Sequence, residues 1–248
     1  MYLTVKHWEK VFQVVVCLFL VGVIAPNASA QLVKKLELGE FHSISLNSNY
    51  RVILRQSNKQ EVEVRVEEEI WNATTIWVDN GVLHIDIKRD DSKKSLWAKI
   101  DNIKIRPDMD VNIAIPSVNK ISVNGNGIVE AENSISSDNL VLEMNGNGTM
   151  DIDTRAKNVT ASVFSPGEIK LSGYCDKLDL TVGGEGKFSG YEFDVKNASV
   201  ETRGESTAEV SVSEKLDAEI YGNGNIHVKG KINVSPKIYG GGKLHRAY

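Results

Sequence analysis

Between residues 125 and 242 a small-x-small motif occurs seven times, each copy set inside a stretch of alternating apolar and polar residues. The first small position falls at Gly125, Gly146, Ser165, Gly184, Gly204, Gly222 and Gly240. The second falls at Gly127, Gly148, Gly167, Gly186, Ser206, Gly224 and Gly242, with spacings of 21, 19, 19, 20, 18 and 18 residues. Around one copy, Leu140, Leu142, Met144, Gly146, Gly148, Met150 and Ile152 take every second position. Leu178 to Gly190 and Leu216 to Val228 repeat the pattern. A period of two sends these residues to one side of an extended chain, so both small residues of each copy are expected to face inward. Gly or Ser where a core wants bulk implies a bend, or walls too close for a larger side chain. The competing reading is a series of type I′ hairpin turns at the Asn-Gly pairs. Against it, the alternation crosses each pair without a change of phase.

A unit of about nineteen residues with two strand-like arms cannot bury its apolar face alone, but stacked copies can. Equivalent arms then pair in parallel and in register at about 4.8 Å per coil, and six steps give a column roughly 29 Å tall. Parallel crossovers wind right-handed by default. The fold expected for 117–248 is therefore all-β, a right-handed parallel β-helix or solenoid. Residues 31–116 are β-like but different. Val62, Val64 and Val66, then Leu83, Ile85 and Ile87, then Val111, Ile113 and Ile115 alternate, and Asp79-Asn80-Gly81 is a hairpin signal. RDDSKK at 89–94 reads as a solvated loop, and no helix is expected in 31–248. Antiparallel hairpins that cap the first coil, or irregular coils that extend the column, both fit this region. A cap would cover an otherwise unpaired edge. At the other end only Pro236, Lys237 and KLHRAY discourage edge pairing, which leaves homo-oligomers through the solenoid ends open.

Residues 1–30 read as a signal peptide: Lys6 and Lys10, the apolar run VFQVVVCLFLVGVIA, and a cleavage site at Ala28-Ser29-Ala30. Cys17 lies inside that run, so a lipidated, Cys-first mature chain is not expected. From Gln31 onward there are 27 basic and 32 acidic residues, a mildly acidic balance that gives no reason to propose nucleic acid as a partner. Cys175 is then the single cysteine, so no internal disulfide can form, and a buried apolar role is expected for it.

Taken in order, FHSISLNSNYRVIL at 41–54, NGVLHIDI, VNIAIPSVNKISVNGNG and the later Gly-x-Gly coils resemble the adhesins with a head GIN domain, exported proteins of bacterial envelopes. The resemblance covers nearly all of 36–245. It implies a right-handed β-helix-like fold and a surface location, and it brings no catalytic or ligand residues. Ser165 and Ser206 depart from the family's glycines, which touches only local coil shape.

The chemistry-bearing residues are sparse. The Gly-x-Gly pairs lack the third Gly and the following helix of a dinucleotide loop. GGEG at 183–186 lacks the Asp of a calcium-binding nonapeptide, and five His show no metal-ligand spacing. No metal or cofactor is expected. Glu185 and Glu205, with Arg203 and Lys187 beside them, would stand about 4.8 Å apart by coil stacking. Such a pair is the basis for an alternative reading as a polysaccharide-cleaving β-helix enzyme. A solvated charged face explains the same residues, and the coils carry none of the long insertions that build clefts. Asn124, Asn126, Asn145 and Asn147 are placed to form amide ladders, and His227 and His245 to stack one coil apart. Arg203, Tyr221 and Tyr239 share one outward column, able to stack together or to meet a sugar. Trp71, Trp77 and Trp97 read as core or hairpin cover, or as an adhesive patch if exposed. The leading expectation is a non-enzymatic, exported binding or scaffold module at the cell envelope. It would bind a surface glycan or protein multivalently.

Overall fold

The computed structural model describes residues 31–89, 91–101 and 108–247; the signal-peptide reading lies outside them. The chain opens with β1 (Gln31–Leu36), β2 (Ser43–Leu46), β3 (Arg51–Gln56) and β4 (Glu61–Glu67). A helical turn, α1 (Glu68–Trp71), leads into β5 (Thr74–Asp79) and β6 (Val82–Ile87). A 3-10 turn (Asp91–Lys93) and α2 (Lys94–Ile100) precede β7 (Asp110–Ile115), β8 (Lys120–Val123) and β9 (Ile128–Ala131). Five long strands follow, β10 (Ile135–Met144), β11 (Thr149–Val163), β12 (Glu168–Val182), β13 (Lys187–Gly204) and β14 (Thr207–Gly222). The chain closes with β15 (Asn225–Lys229), β16 (Lys237–Tyr239) and β17 (Lys243–Ala247).

The fold is an all-β solenoid of about 7 turns at roughly 19-residue spacing. Successive long strands pair in parallel and in register, Leu140 on Val159, Val159 on Leu178, and Leu178 on Ala198. Inward residues therefore stack in columns. In the next column Leu142, Ala161, Leu180, Val200 and Ala218 lie one above another. Differences in coil length are absorbed as register shifts between Lys170 and Ser172 and between Gly190 and Asp194. A third shift, between Val195 and Asn197, lies on the same pair of strands.

Only the second small position of each copy is inward. Gly127, Gly148, Gly167, Gly186, Ser206, Gly224 and Gly242 are buried, whereas Gly184, Gly204 and Gly240 are exposed and Gly125, Gly146 and Gly222 half-buried. The crowding also runs along the stack, not only across it. A Cβ on Gly146 would collide with the carbonyl oxygen of Gly125, one on Gly148 with that of Gly127, and one on Gly167 would lie 2.5 Å from the Gly146 oxygen. Each corner is a backbone resting on the backbone of the coil before it. In the later coils the first column needs glycine for a second reason, with φ of 65° at Gly184, 80° at Gly204 and 95° at Gly222. The serines fit by hydrogen bonding to carbonyls of the coil below. Ser165 Oγ donates to the Gly146 carbonyl, and Ser206 Oγ donates to the Val182 carbonyl at 2.8 Å.

The N-terminal third is both extra coil and cap. β2 lies between β6 and β8, and β3 between β7 and β9, all in parallel. Residues 43–56 thus form a coil inserted between two coils that follow it in sequence. Antiparallel strands finish this end: β5 on β6 through the Asn80-Gly81 turn, β4 on β7, and β1 on β4. The Asn80 and Gly81 φ angles of 48° and 74° are those of a type I′ turn.

The expectation of no helix is corrected by α1 and α2, and the loop expected at 89–94 runs into the second of them. Leu96, Trp97 and Ile100 recur at helical spacing and are buried in the main core, a face that the polar RDDSKK run conceals in the sequence. Arg89 and Asp101 bracket this segment with a bidentate ion pair of 2.6 and 2.9 Å, and the guanidinium holds the Asp101 carboxyl below the usual range. Cys175 is fully buried, and burial pushes its thiol up to about 12.

Gly148→Ala is expected to lose at least ~2 kcal/mol in denaturant unfolding, because the new methyl meets a backbone oxygen that no rotamer change can move. Gly39→Ala, with nothing within 4 Å of its Cβ position, should stay within about 0.5 kcal/mol.

Candidate functional site

Parallel in-register stacking turns every outward position into a column, and one column at the glycine corner holds most of the expected site. It runs through Asn47, Asn124 and Asn145, then Phe164 and Gly183, then Arg203, Tyr221 and Tyr239. The asparagines form an amide ladder, with Asn124 Nδ2 donating to Asn47 Oδ1 at 2.8 Å and Asn145 Nδ2 donating to Asn124 Oδ1 at 3.0 Å. A second ladder, Asn158 Nδ2 to Asn139 Oδ1 at 2.9 Å, stands at the bend where each coil turns back. The repeat thus supplies each amide with a neighbour of its own kind.

Tyr221 and Tyr239 are stacked with ring centroids 4.9 Å apart and planes 12° apart. One face of each ring is thus turned to the other, which leaves edges, hydroxyls and the outer faces, with Tyr239 at 56% exposure more open than Tyr221 at 38%. Tyr221 Oη also donates to Glu219 Oε2 at 3.0 Å. Arg203 is drawn sideways into an ion pair with Glu201 on its own strand. Sequence reasoning missed Phe164, whose ring is 54% exposed and lies over Gly183, where a Cβ would stand 3.0 Å from it. Its signal was register alone: it occupies the column between Asn145 and Arg203.

Glu185 and Glu205 are both exposed at successive corners, and the Glu205 amide donates to the Gly184 carbonyl at 2.9 Å. The two basic residues expected beside them are engaged elsewhere, Arg203 with Glu201 and Lys187 Nζ with Glu168 Oε1 at 3.3 Å. A cleft of about 810 Å³ exists, but at the opposite end of the column, lined by Lys35, Ile53, Arg55, Gln60, Glu63 and Glu132 among others. Among the described residues, no three His, Cys, Asp or Glu stand together as a metal site. No helix there is long and apolar enough to cross a membrane. Of the tryptophans, Trp97 is buried, Trp71 is half-buried under Lys34 at 4.5 Å, and Trp77 is exposed and stacked on His84 at 4.8 Å.

The sequence matches the family described as "Putative auto-transporter adhesin, head GIN domain" over residues 40–231. The chain belongs to this family. A "putative adhesin" from Bacteroides fragilis shares this head GIN fold with a TM-score of 0.78 and 24% identity, over 88% of this chain and 97% of its own. A "putative adhesin" from Parabacteroides distasonis follows at 0.70 and 19%, over 89% and 98%. A "putative lipid binding protein" from the same species matches at 0.66 and 18%, over 90% and 98%. At these identities the likeness is one of fold. No curated protein matches the sequence.

In this head GIN domain a third stack, His227 on His245 at 4.7 Å, sits on the outer face of the last coils, with Glu209 in register beyond His227 and Asn225 Oδ1 3.4 Å from His245 Nε2. Burial, and then His245, hold the His227 pKa below the ordinary histidine value. A folded-state pKa lowered in this way contributes stability in full above the ordinary value, and that contribution is lost as pH falls from it toward the lowered one. The melting temperature is expected to fall as pH drops from about 7.5 to about 5, across the ordinary titration range of histidine. Amide exchange in β17 should rise in parallel. Both changes should be smaller in the His227→Gln variant.

Proposed function

We propose that the protein is a non-enzymatic binding module, exported to the cell envelope, that holds a surface glycan or another protein along its flank. The observation that carries this reading is the in-register outward column at the glycine corner, where Phe164, Arg203, Tyr221 and Tyr239 repeat a contact from coil to coil. Affinity then grows from many weak contacts on a rigid ruler, and not from one pocket. The family and the adhesin and lipid-binding descriptions of similarly folded proteins support a binding role. Glu185 and Glu205 border the same corner. They lack a cleft wall, and Arg203 and Lys187 point to other partners, so they serve the reading as contacts and not as an acid and a base.

A glycan array probed with the protein from Gln31 onward, followed by incubation with any glycan that binds, tests this. Binding without release of shorter products is expected. Phe164→Ala with Tyr239→Ala should weaken it about tenfold, as removal of two exposed aromatic contacts would. Chain cleavage that disappears in Glu185→Gln or Glu205→Gln would instead establish the polysaccharide-cleaving reading.

A further inference from the structure

The two ends of the column are built differently. At the N-terminal end, β1, β4, β5 and α2 cover the first coils, and Leu83, Ile85, Val111 and Ile113 are at most 1% exposed. At the C-terminal end the interior is open. Ile238 lies in register on Ile220, and its exposure is 43% where that of Ile220 is 0%. Leu244 lies on the fully buried Ile226 and is only half-buried itself. Among the described residues, β16 pairs only with β14 and β17 only with β15, so each presents a free row of backbone groups outward.

The charge of this end is also unlike the rest. The chain as a whole has 29 basic and 33 acidic residues, yet from Ile220 onward the sequence holds Lys229, Lys231, Lys237, Lys243 and Arg246 and no Asp or Glu. Of these, Lys237 is paired with Glu219 at 2.7 Å, and Arg246 donates to the Ile232 carbonyl at 2.7 Å. Lys231 and Lys243 are exposed, as is Lys229, whose Nζ reaches the Tyr191 carbonyl at 3.4 Å. The open apolar interior therefore has Lys231 and Lys243 exposed beside it, while Lys229 and Lys237 reach back toward earlier coils, and Tyr239, 56% exposed, lies at its rim.

We infer that this end of the column docks on an anionic lipid surface, its lysines among the phosphates and Ile238 and Leu244 at the level of the headgroups. Cations that draw the protein to a negative leaflet, with apolar groups and an aromatic at the boundary, are the two parts of interfacial attachment. The unpaired strand edge limits the depth. Backbone groups with no partner are costly in hydrocarbon but are satisfied by phosphate oxygens and water at the headgroups. A second copy is the other occupant that an open solenoid end invites. Meeting end to end, two such faces would bring ten basic residues together with no Asp or Glu from Ile220 onward, and like-charge juxtaposition opposes that. An acidic polysaccharide would use the lysines but leave Ile238 and Leu244 without a purpose. This docking is independent of the flank reading above, since it uses the end of the column.

The test is co-sedimentation of the protein from Gln31 onward, which contains all the described structure, with vesicles of phosphatidylcholine alone or with about one third phosphatidylglycerol. Binding is expected to the anionic vesicles only. It should weaken from about 0.02 M to about 0.5 M salt, as the screening length shrinks from ~20 Å to ~4 Å. The triple variant K229E/K231E/K243E should bind about tenfold more weakly or less, and K34E/K35E, at the capped end, as the wild type does. Ile238→Ser changes no charge and should weaken the binding that survives at high salt. Equal binding to neutral vesicles, no binding at all, or equal loss in K34E/K35E would overturn the inference. So would a doubling of mass without lipid, or capture by polygalacturonate but not by vesicles.

Discussion

Everything in this molecule depends on backbone lying directly on backbone at the glycine corner. Parallel strands about 4.8 Å apart can stack indefinitely while they remain straight. The difficulty comes where each coil must turn, because there the chain of one coil passes over the carbonyls of the coil below. Gly146 over Gly125 and Gly148 over Gly127 leave no room for a methyl group. Where a serine replaces a glycine, its hydroxyl bonds to a carbonyl of the coil below, so the close approach is kept and gains a hydrogen bond.

Once the corner is fixed, every other position inherits its register. The same geometry that aligns Leu142, Ala161 and Leu180 inside aligns asparagines, tyrosines and histidines outside. Each exposed ladder bond or ring stack contributes little alone, on the order of a kcal/mol or less. Their effect is to make the outer surface rigid and repetitive. The side chains used in this way are also partly withdrawn from any ligand: the Tyr221 and Tyr239 faces satisfy each other, and Arg203 and Lys187 are held by carboxylates of the protein. What is left open on this surface is the remainder, chiefly Phe164, Tyr239 and hydroxyl and amide edges.

The solenoid was legible in the sequence because spacing and alternation are local signals that seven copies repeat. The ladders were legible for the same reason, since Asn124 and Asn145 fall one coil apart. Three things were not. That Gly146 and Gly184 stand outside the core depends on how the corner folds, and a strict period of two cannot register a turn that keeps phase while facing solvent. The α2 face of Leu96, Trp97 and Ile100 is too short to stand out beside the polar run that precedes it. The insertion of residues 43–56 between later coils is a matter of long-range pairing, and its sequence, FHSISLNSNYRVIL, reads the same whichever neighbour it has. Of the residues in the corner column, Tyr221 and Tyr239 could be placed there from their spacing. Phe164 went unnoticed because the alternation marks it only as outward, and an outward phenylalanine carries no motif.

The threading of residues 43–56 sets an order of events for a chain emerging from its N-terminus. β2 and β3 come out early, but the strands that flank them on one side end at Ile115 and on the other at Ala131. The segment gains partners on one side from β6 and β7 and on the other only with β8 and β9, whereas from β10 onward each coil pairs with the coil just before it in sequence. Assembly therefore starts slowly with distant partners and then winds up quickly by local addition. The long-range closure over residues 43–56 is confined to that first stage.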